Sequence, residues 1–184
     1  RLEVDVLRDD DLAAGAIDYY VKPFSEGSLR GLVCDFFVRS SERSQVRVCV
    51  VESVGSARRA MVHLLENFGY STVVYDTADS ARVGMRGGVC ELLVLDLDLP
   101  DFAGLSLLQD LRRQPAFERL PVVGLTGSAA RRDLTVAFHL GVTDLLRKPF
   151  FPEEFLARVE NQLRVTSLEK RLRVEATTDG LTGL

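Results

Sequence analysis

The chain has 184 residues, which is enough for one domain and part of a second. Hydrophobic residues make up 46% and charged residues 27%, so the chain can bury a core and is not disordered by composition. The net charge of −4 and the lack of a basic run argue against a nucleic-acid partner. No apolar stretch approaches the ~20 residues of a membrane span. Three widely spaced cysteines are best explained as reduced thiols of a cytoplasmic protein.

From Val46 onward, short apolar runs alternate with amphipathic helical patterns. Strands are predicted at 46–51, 72–75, 91–96, 121–125 and 142–147. Helices are predicted after each of them, at 61–68, 78–86, 105–111, 129–140 and from Pro152 onward. Five successive β-α pairs with near-continuous apolar strands predict an α/β fold, in which helices cover both faces of a parallel sheet.

A polar or charged residue ends or directly follows four of the predicted strands: Glu52, Asp96, Thr126 and Lys148. The carboxyl ends of parallel strands meet at one edge of the sheet, where the functional crevice lies. A buried carboxylate such as Asp96 can attack a phosphoryl group, provided that a cation offsets the charge of the two anions. Lys148 can pair with one phosphoryl oxygen, and the Thr126 hydroxyl can donate to another. The pattern therefore predicts a phosphoryl-accepting site.

An internal repeat indicates a second, incomplete copy of this unit. The segment 15–24 matches 141–150, with identities at Gly, Asp, Lys, Pro and Phe. This offset is close to one domain length and predicts tandem copies. We therefore expect residues 1–44 to supply only the last two helices and one strand of a first copy, in which Tyr19 and Lys22 correspond to Leu145 and Lys148.

Residues 46–164 resemble the receiver domain of two-component response regulators. The matching pieces are Val50-Val51-Glu52, Leu95-Asp96-Leu97-Asp98-Leu99-Pro100 with Gly104, Leu125-Thr126-Gly127 and Lys148-Pro149-Phe150. The resemblance implies a flavodoxin-like (βα)5 doubly wound parallel sheet with strand order 2-1-3-4-5. It also implies that Asp96 is the phosphoacceptor, Thr126 the switch hydroxyl and Lys148 the lysine that pairs with the phosphate.

Two positions depart from the pattern of the family. The second acidic residue after the first strand, a Mg²⁺ ligand in the family, is Ser53, and a neutral hydroxyl is a poor ligand for this ion. We therefore expect only weak Mg²⁺ binding, through Glu52, Asp96 and Asp98. The position three before the lysine, often an aromatic switch residue, is Leu145.

The carboxyl end continues the helical pattern beyond Leu163 into a connector helix at 165–178. Val165, Leu168 and Leu172 form an apolar seam that favours a partner helix. The residues 179–184, Asp-Gly-Leu-Thr-Gly-Leu, resemble the opening of a GGDEF, or diguanylate cyclase, domain. The resemblance implies a parent protein that makes cyclic di-GMP, whereas this chain lacks the catalytic motif and is not expected to be an enzyme.

The leading hypothesis is a regulatory receiver that a sensor histidine kinase or phosphotransfer protein phosphorylates. The receiver would control the cyclase by forming a homodimer through the fourth helix, the fifth strand, the fifth helix and the connector. The alternative, motivated by Ser53 and Leu145, is a degenerate pseudo-receiver that acts as a dimerisation or docking scaffold without phosphorylation. The pair Asp96 and Asp98 is also similar to that of haloacid-dehalogenase phosphatases, but it follows the third strand rather than an early one. The arginine pairs 58–59, 112–113 and 131–132 are interpreted as solvated helix faces.

Overall fold

The computed structural model describes residues 43–87, 89–127 and 131–179. The predictions for the first copy, with Tyr19 and Lys22, lie outside the described residues, as does the segment after Asp179 that resembles a cyclase. The receiver-like unit at 46–164 is described apart from residues 88 and 128–130.

Five strands form one sheet in the order β2-β1-β3-β4-β5. Their bounds are Arg47–Val51 (β1), Ser71–Tyr75 (β2), Leu92–Asp96 (β3), Val122–Thr126 (β4) and Asp144–Arg147 (β5). Every neighbouring pair is parallel. The predicted α/β fold and the predicted strand order are therefore confirmed, with strand bounds that differ from the prediction by one or two residues.

Helices connect the strands and follow the last one. They are Gly55–Asn67 (α1), Ala78–Gly84 (α2), Ala103–Arg112 (α3), Arg131–His139 (α4) and Pro152–Asp179 (α5). The α2 helix is shorter than predicted because its last predicted residues form the 3₁₀ turn Met85–Gly87. The α5 helix runs without a break through the predicted connector. None of the described helices is long and apolar enough to cross a membrane.

Alternating side chains of each strand build two separate cores, one on each face of the sheet. On β1, Val48 and Val50 pack with α1 and α5, whereas Cys49 and Val51 pack with α2 and α3. All four are almost completely buried. Since both faces are covered, the central strands contain hardly any polar residues before their carboxyl ends. Polar groups at those ends are therefore exceptional within the strands and lie together at one edge.

Arg112 is not the solvated helix residue that its sequence predicts. Its guanidinium donates hydrogen bonds to the backbone carbonyls of Phe117 at 2.5 Å, Leu120 at 2.8 Å and Gly141 at 2.6 Å. These bonds connect the loop between α3 and β4 to the turn before β5. Burial lowers the pKa of Arg112 below its ordinary value. The interpretation as a solvated residue was wrong here because the guanidinium binds three backbone carbonyls outside the strands.

Gly104 allows α3 to pack directly against the end of β3. A Cβ atom at this position would lie 2.4 Å from the backbone oxygen of Asp96 and 3.1 Å from the Cα atom of Leu97. Real Cβ atoms do not approach backbone atoms so closely, so any larger residue must displace the strand end. The absence of a side chain at Gly104 thus fixes the position of the Asp96 carboxylate relative to the helix that follows it.

We expect Gly104→Ala to lower the free energy of unfolding by about 1–3 kcal/mol, since overpacking against backbone cannot be relieved by a rotamer change. Urea denaturation of both proteins measures the difference. The matched control is Gly87→Ala, where an added Cβ would have no atom within 4 Å. Equal stability of the two variants would contradict the close approach described above.

Candidate functional site

The carboxyl ends of the central strands bring the predicted site residues to one edge of the sheet. Asp96 is the last residue of β3 and lies opposite Leu125, one residue before the end of β4. Thr126, the last residue of β4, lies opposite Arg147 at the end of β5, so Lys148 follows directly. The predicted convergence of strand ends is therefore present in the structure.

Lys148 joins the ends of three strands through its ammonium group. Its Nζ atom lies 2.8 Å from Glu52 Oε2 and 3.0 Å from Asp96 Oδ1. The Glu52 side chain is completely buried and that of Asp96 is 5% exposed, whereas that of Lys148 is 28% exposed. One ammonium group thus compensates two buried carboxylates, which leaves an excess of one negative charge among these three groups.

The protonation of this cluster follows from burial and from the ion pairs. Burial raises the pKa of Asp96 above its ordinary value, although the hydrogen bond from Lys148 opposes the shift, and the nearby charge of Glu52 raises it further. Burial lowers the pKa of Lys148, but the hydrogen bonds to Glu52 and Asp96 outweigh it, and the net pKa is raised. Lys148 therefore stays charged at neutral pH.

The loop after β1 is held by the backbone and by an arginine. Glu52 Oε1 accepts a hydrogen bond from the Val54 amide at 2.9 Å. Arg58 donates to the backbone carbonyls of Glu52 at 2.6 Å and Ser53 at 3.2 Å. The interpretation of Arg58 as a solvated helix residue is therefore wrong. Both carboxylate oxygens of Glu52 already have partners.

Asp98 makes contacts that sequence reasoning did not predict. Its Oδ1 atom accepts the Thr126 hydroxyl at 2.9 Å, and its Oδ2 atom accepts the Gly127 amide at 2.5 Å. Its own amide donates to Asp96 Oδ1 at 3.1 Å. The spacing of two residues placed Asp98 near the edge of the sheet, but no pattern in the sequence indicates which way its side chain turns. Thr126 is therefore connected to Asp96 through Asp98.

Glu52, Asp96 and Asp98, the predicted Mg²⁺ ligands, have other partners in this structure, so Mg²⁺ binding stays a prediction. Within the described ranges, no group of three or more His, Cys, Asp or Glu side chains could hold a metal ion. Glu52 and Asp96 share the Lys148 ammonium, Asp98 is turned towards Thr126, and position 53 supplies no carboxylate. The predicted ligand set is thus not assembled around a common point.

Leu145 lies on β5 beneath the site and is partly buried against the core. An added Cβ at Gly124 would lie 3.0 Å from Leu145 Cδ2, so the leucine fills the space beside the adjacent strand. The position predicted to lack an aromatic switch residue therefore contributes aliphatic packing.

Comparison with known proteins matches residues 48–160 to the family model described as the response regulator receiver domain. The phosphate regulon transcriptional regulatory protein PhoB of Escherichia coli is 30% identical over 118 residues, which cover 64% of this chain and 52% of PhoB. The cyclic di-GMP phosphodiesterase response regulator RpfG of Xanthomonas campestris is 31% identical over 140 residues, covering 69% of this chain and 37% of RpfG. The chain thus spans about half the length of PhoB and less of RpfG.

A solved structure shows the same fold. The CheY-like response regulator receiver domain protein of Methanospirillum hungatei superposes with a TM-score of 0.63 at 21% identity, covering 67% of this chain and 98% of that chain. The family model matches more than half of the present chain. The chain therefore belongs to the response regulator receiver family and contains the receiver domain of a two-component response regulator.

Proposed function

We propose that a histidine kinase or phosphotransfer protein phosphorylates Asp96 and that this phosphorylation controls a diguanylate cyclase by promoting dimerisation. One observation carries the proposal. Asp96 Oδ1 is fixed by Lys148 and by the Asp98 amide, whereas Oδ2 accepts no hydrogen bond from the described part of the chain. A carboxylate whose one oxygen is fixed by hydrogen bonds leaves the other oxygen as the nucleophile for attack on a phosphorus atom.

The proposed transfer of the phosphoryl group needs few groups of this chain. Asp96 Oδ2 forms the new P–O bond while the P–N bond of a phosphohistidine breaks, and the imidazole leaves with the bonding electron pair and takes a proton from water. Lys148 supplies the positive charge that offsets the approach of two anions. Thr126 and the Gly127 amide are the donors within reach of the added phosphoryl oxygens.

The added charge provides the signal. A phosphoryl group carries about two negative charges at neutral pH, and it is added at a site where Glu52 and Asp96 already share one Lys148 ammonium. The new anion must recruit Lys148 or the donors at the end of β4, and either change alters the contacts at the ends of β4 and β5. A few kcal/mol of difference between two arrangements suffices to shift their populations.

The output surface lies on α5. Val165, Leu168 and Leu172 are spaced three and four residues apart, and their exposed fractions are 42%, 53% and 65%. Such a seam on a charged helix is suited to pack against its copy in a second chain. RpfG, by its name, joins a response regulator to cyclic di-GMP metabolism. Residues 179–184 support a cyclase as the controlled domain, whereas the name of RpfG, a phosphodiesterase, supports only a link to cyclic di-GMP. Catalysis is assigned to that domain rather than to this chain.

Incubation with acetyl phosphate should place acid-labile phosphate on the wild-type chain, and Asp96→Asn should abolish it because the nucleophilic oxygen is lost. Intact-mass spectrometry before and after acid treatment measures the modification. Asp101→Asn, at an exposed acid in the following turn, is the control and should label like the wild type.

Light scattering on the same samples tests the output, and a rise in dimer content on phosphorylation is expected. The proposal would be overturned if the wild-type chain acquired no phosphate and its mass in solution did not change with the phosphodonor. That result would favour the scaffold alternative.

Asp96→Asn should raise the free energy of unfolding at pH 7 by about 1 kcal/mol, because it removes a buried charge and keeps hydrogen-bond acceptors in place. Since folding raises the pKa of Asp96, this residue stabilises the fold only in acid, and that contribution is lost as the pH rises through the raised pKa. The advantage of the variant should therefore shrink as the pH falls towards the ordinary carboxyl range near 4.

Urea denaturation of both proteins at several pH values measures this difference. Asp101→Asn removes an exposed charge and should change stability by less than about 0.5 kcal/mol. If Asp96→Asn were less stable than the wild type at pH 7, the charge balance described for the site would be contradicted.

Mg²⁺ binding stays a prediction of weak affinity, and Ser53→Asp should strengthen it by about tenfold or more. The change adds a carboxylate beside Glu52 and Asp96, and Mg²⁺ prefers such hard oxygen ligands. Calorimetric titration with MgCl₂ measures the affinity. Ser56→Asp, which adds the same charge on the exposed first turn of α1, is the matched control. If Ser53→Asp and Ser56→Asp bind the ion alike, the missing carboxylate does not limit the affinity.

A further inference from the structure

We propose that Asp98 is a resident anion of the unphosphorylated site. Its carboxylate occupies the Thr126 hydroxyl and the Gly127 amide, so a phosphoryl group on Asp96 must displace it to reach those donors. The inference rests on the proposed function in one respect, namely that Asp96 is the phosphorylated residue. The occupancy of the two donors is a separate claim and can be tested without phosphorylation.

The geometry of Asp98 is that of a bidentate anion. Its two carboxylate oxygens each accept one hydrogen bond, from a side-chain hydroxyl and from the next backbone amide along the chain. The Asp98 amide binds Asp96 Oδ1, which fixes the backbone from which the side chain reaches across to β4. Charge-assisted hydrogen bonds of this kind are stronger than neutral ones, and phosphoryl oxygens accept hydrogen bonds from the same kinds of donor.

Asp98 can leave its donors without disturbing the core. The residue is exposed, in contrast to Glu52, which is completely buried. It borders an open cavity of about 510 Å³ whose other walls include Leu97, Leu105 and Leu134. The carboxylate can therefore turn into solvent when a stronger anion arrives. A reversible partner exchange is thus sterically possible.

The position of Asp98 also explains why it does not complete a metal site. A carboxylate that binds Thr126 and Gly127 is turned away from the shared partner of Glu52 and Asp96. Asp98 therefore opposes phosphorylation twice, as a competitor for the donors and as a third negative charge beside the incoming group. Removing it should favour the phosphorylated state.

The first experiment follows the Gly127 amide by hydrogen–deuterium exchange in the absence of any phosphodonor. In Asp98→Asn the side chain loses its charge and one of its two acceptor oxygens, so it can no longer accept one hydrogen bond at each oxygen. We expect Gly127 to exchange about threefold to tenfold faster than in the wild type, the range for loss of one hydrogen bond. Asp101→Asn removes the same charge from the adjacent turn and should leave the rate unchanged. Equal Gly127 rates in the wild type and Asp98→Asn would overturn the inference.

The second experiment measures how fast each protein acquires acid-labile phosphate from acetyl phosphate. Asp98→Asn should label about threefold to tenfold faster than the wild type, and Asp101→Asn should label less than about twofold faster. A slower or unchanged labelling rate in Asp98→Asn would overturn the inference that Asp98 competes with the phosphoryl group for these donors. Absence of labelling in every protein would instead overturn the proposed phosphorylation of Asp96, while the Gly127 exchange rates would still decide whether Asp98 occupies the donors.

Discussion

The Lys148 ammonium group is the contact on which the rest of the site depends. It lies within 3.0 Å of a carboxylate oxygen on each of two other strand ends, and one of those carboxylates is completely buried. An unpaired charge buried in this way costs several kcal/mol. The ends of β1, β3 and β5 must therefore stay together for the sheet to be stable, and the same requirement fixes the position of Asp96, the proposed phosphoacceptor.

In the resting site, the cation and the hydrogen-bond donors already have partners. The cation is shared by Glu52 and Asp96, and the hydrogen-bond donors at the end of β4 are taken by Asp98. Under the proposed phosphorylation, the incoming phosphoryl group displaces existing partners of the cation and of the donors instead of binding to groups without partners. Since each exchange replaces one set of charge-assisted bonds with another, the net free energy is small compared with the individual terms, as a reversible switch requires.

Much of the fold and part of the site could be predicted from the sequence because burial on both faces leaves apolar strands with polar ends. That rule placed Asp96 and Lys148 at one edge without any structural knowledge. It could not predict the direction of the Asp98 side chain, which depends on the donors that β4 presents. Nor could it distinguish Arg112 from Arg113, since adjacent arginines look alike in sequence although one binds backbone carbonyls and the side chain of the other is 79% exposed.

The site is linked through a short stretch of backbone to α5, the helix that carries the exposed apolar seam. Lys148 is followed by a cis peptide bond to Pro149, and α5 begins at Pro152. The helix has 28 residues, about 42 Å at 1.5 Å per residue. Its first turns are anchored by the buried Phe155, whereas Leu168 is exposed. A continuous helix cannot bend locally without breaking hydrogen bonds, so a small rotation where β5 meets α5 would reorient the distant seam. Under the proposed dimerisation, the covalent link between Lys148 and α5 would let a change of ion-pair partners alter the packing of two chains.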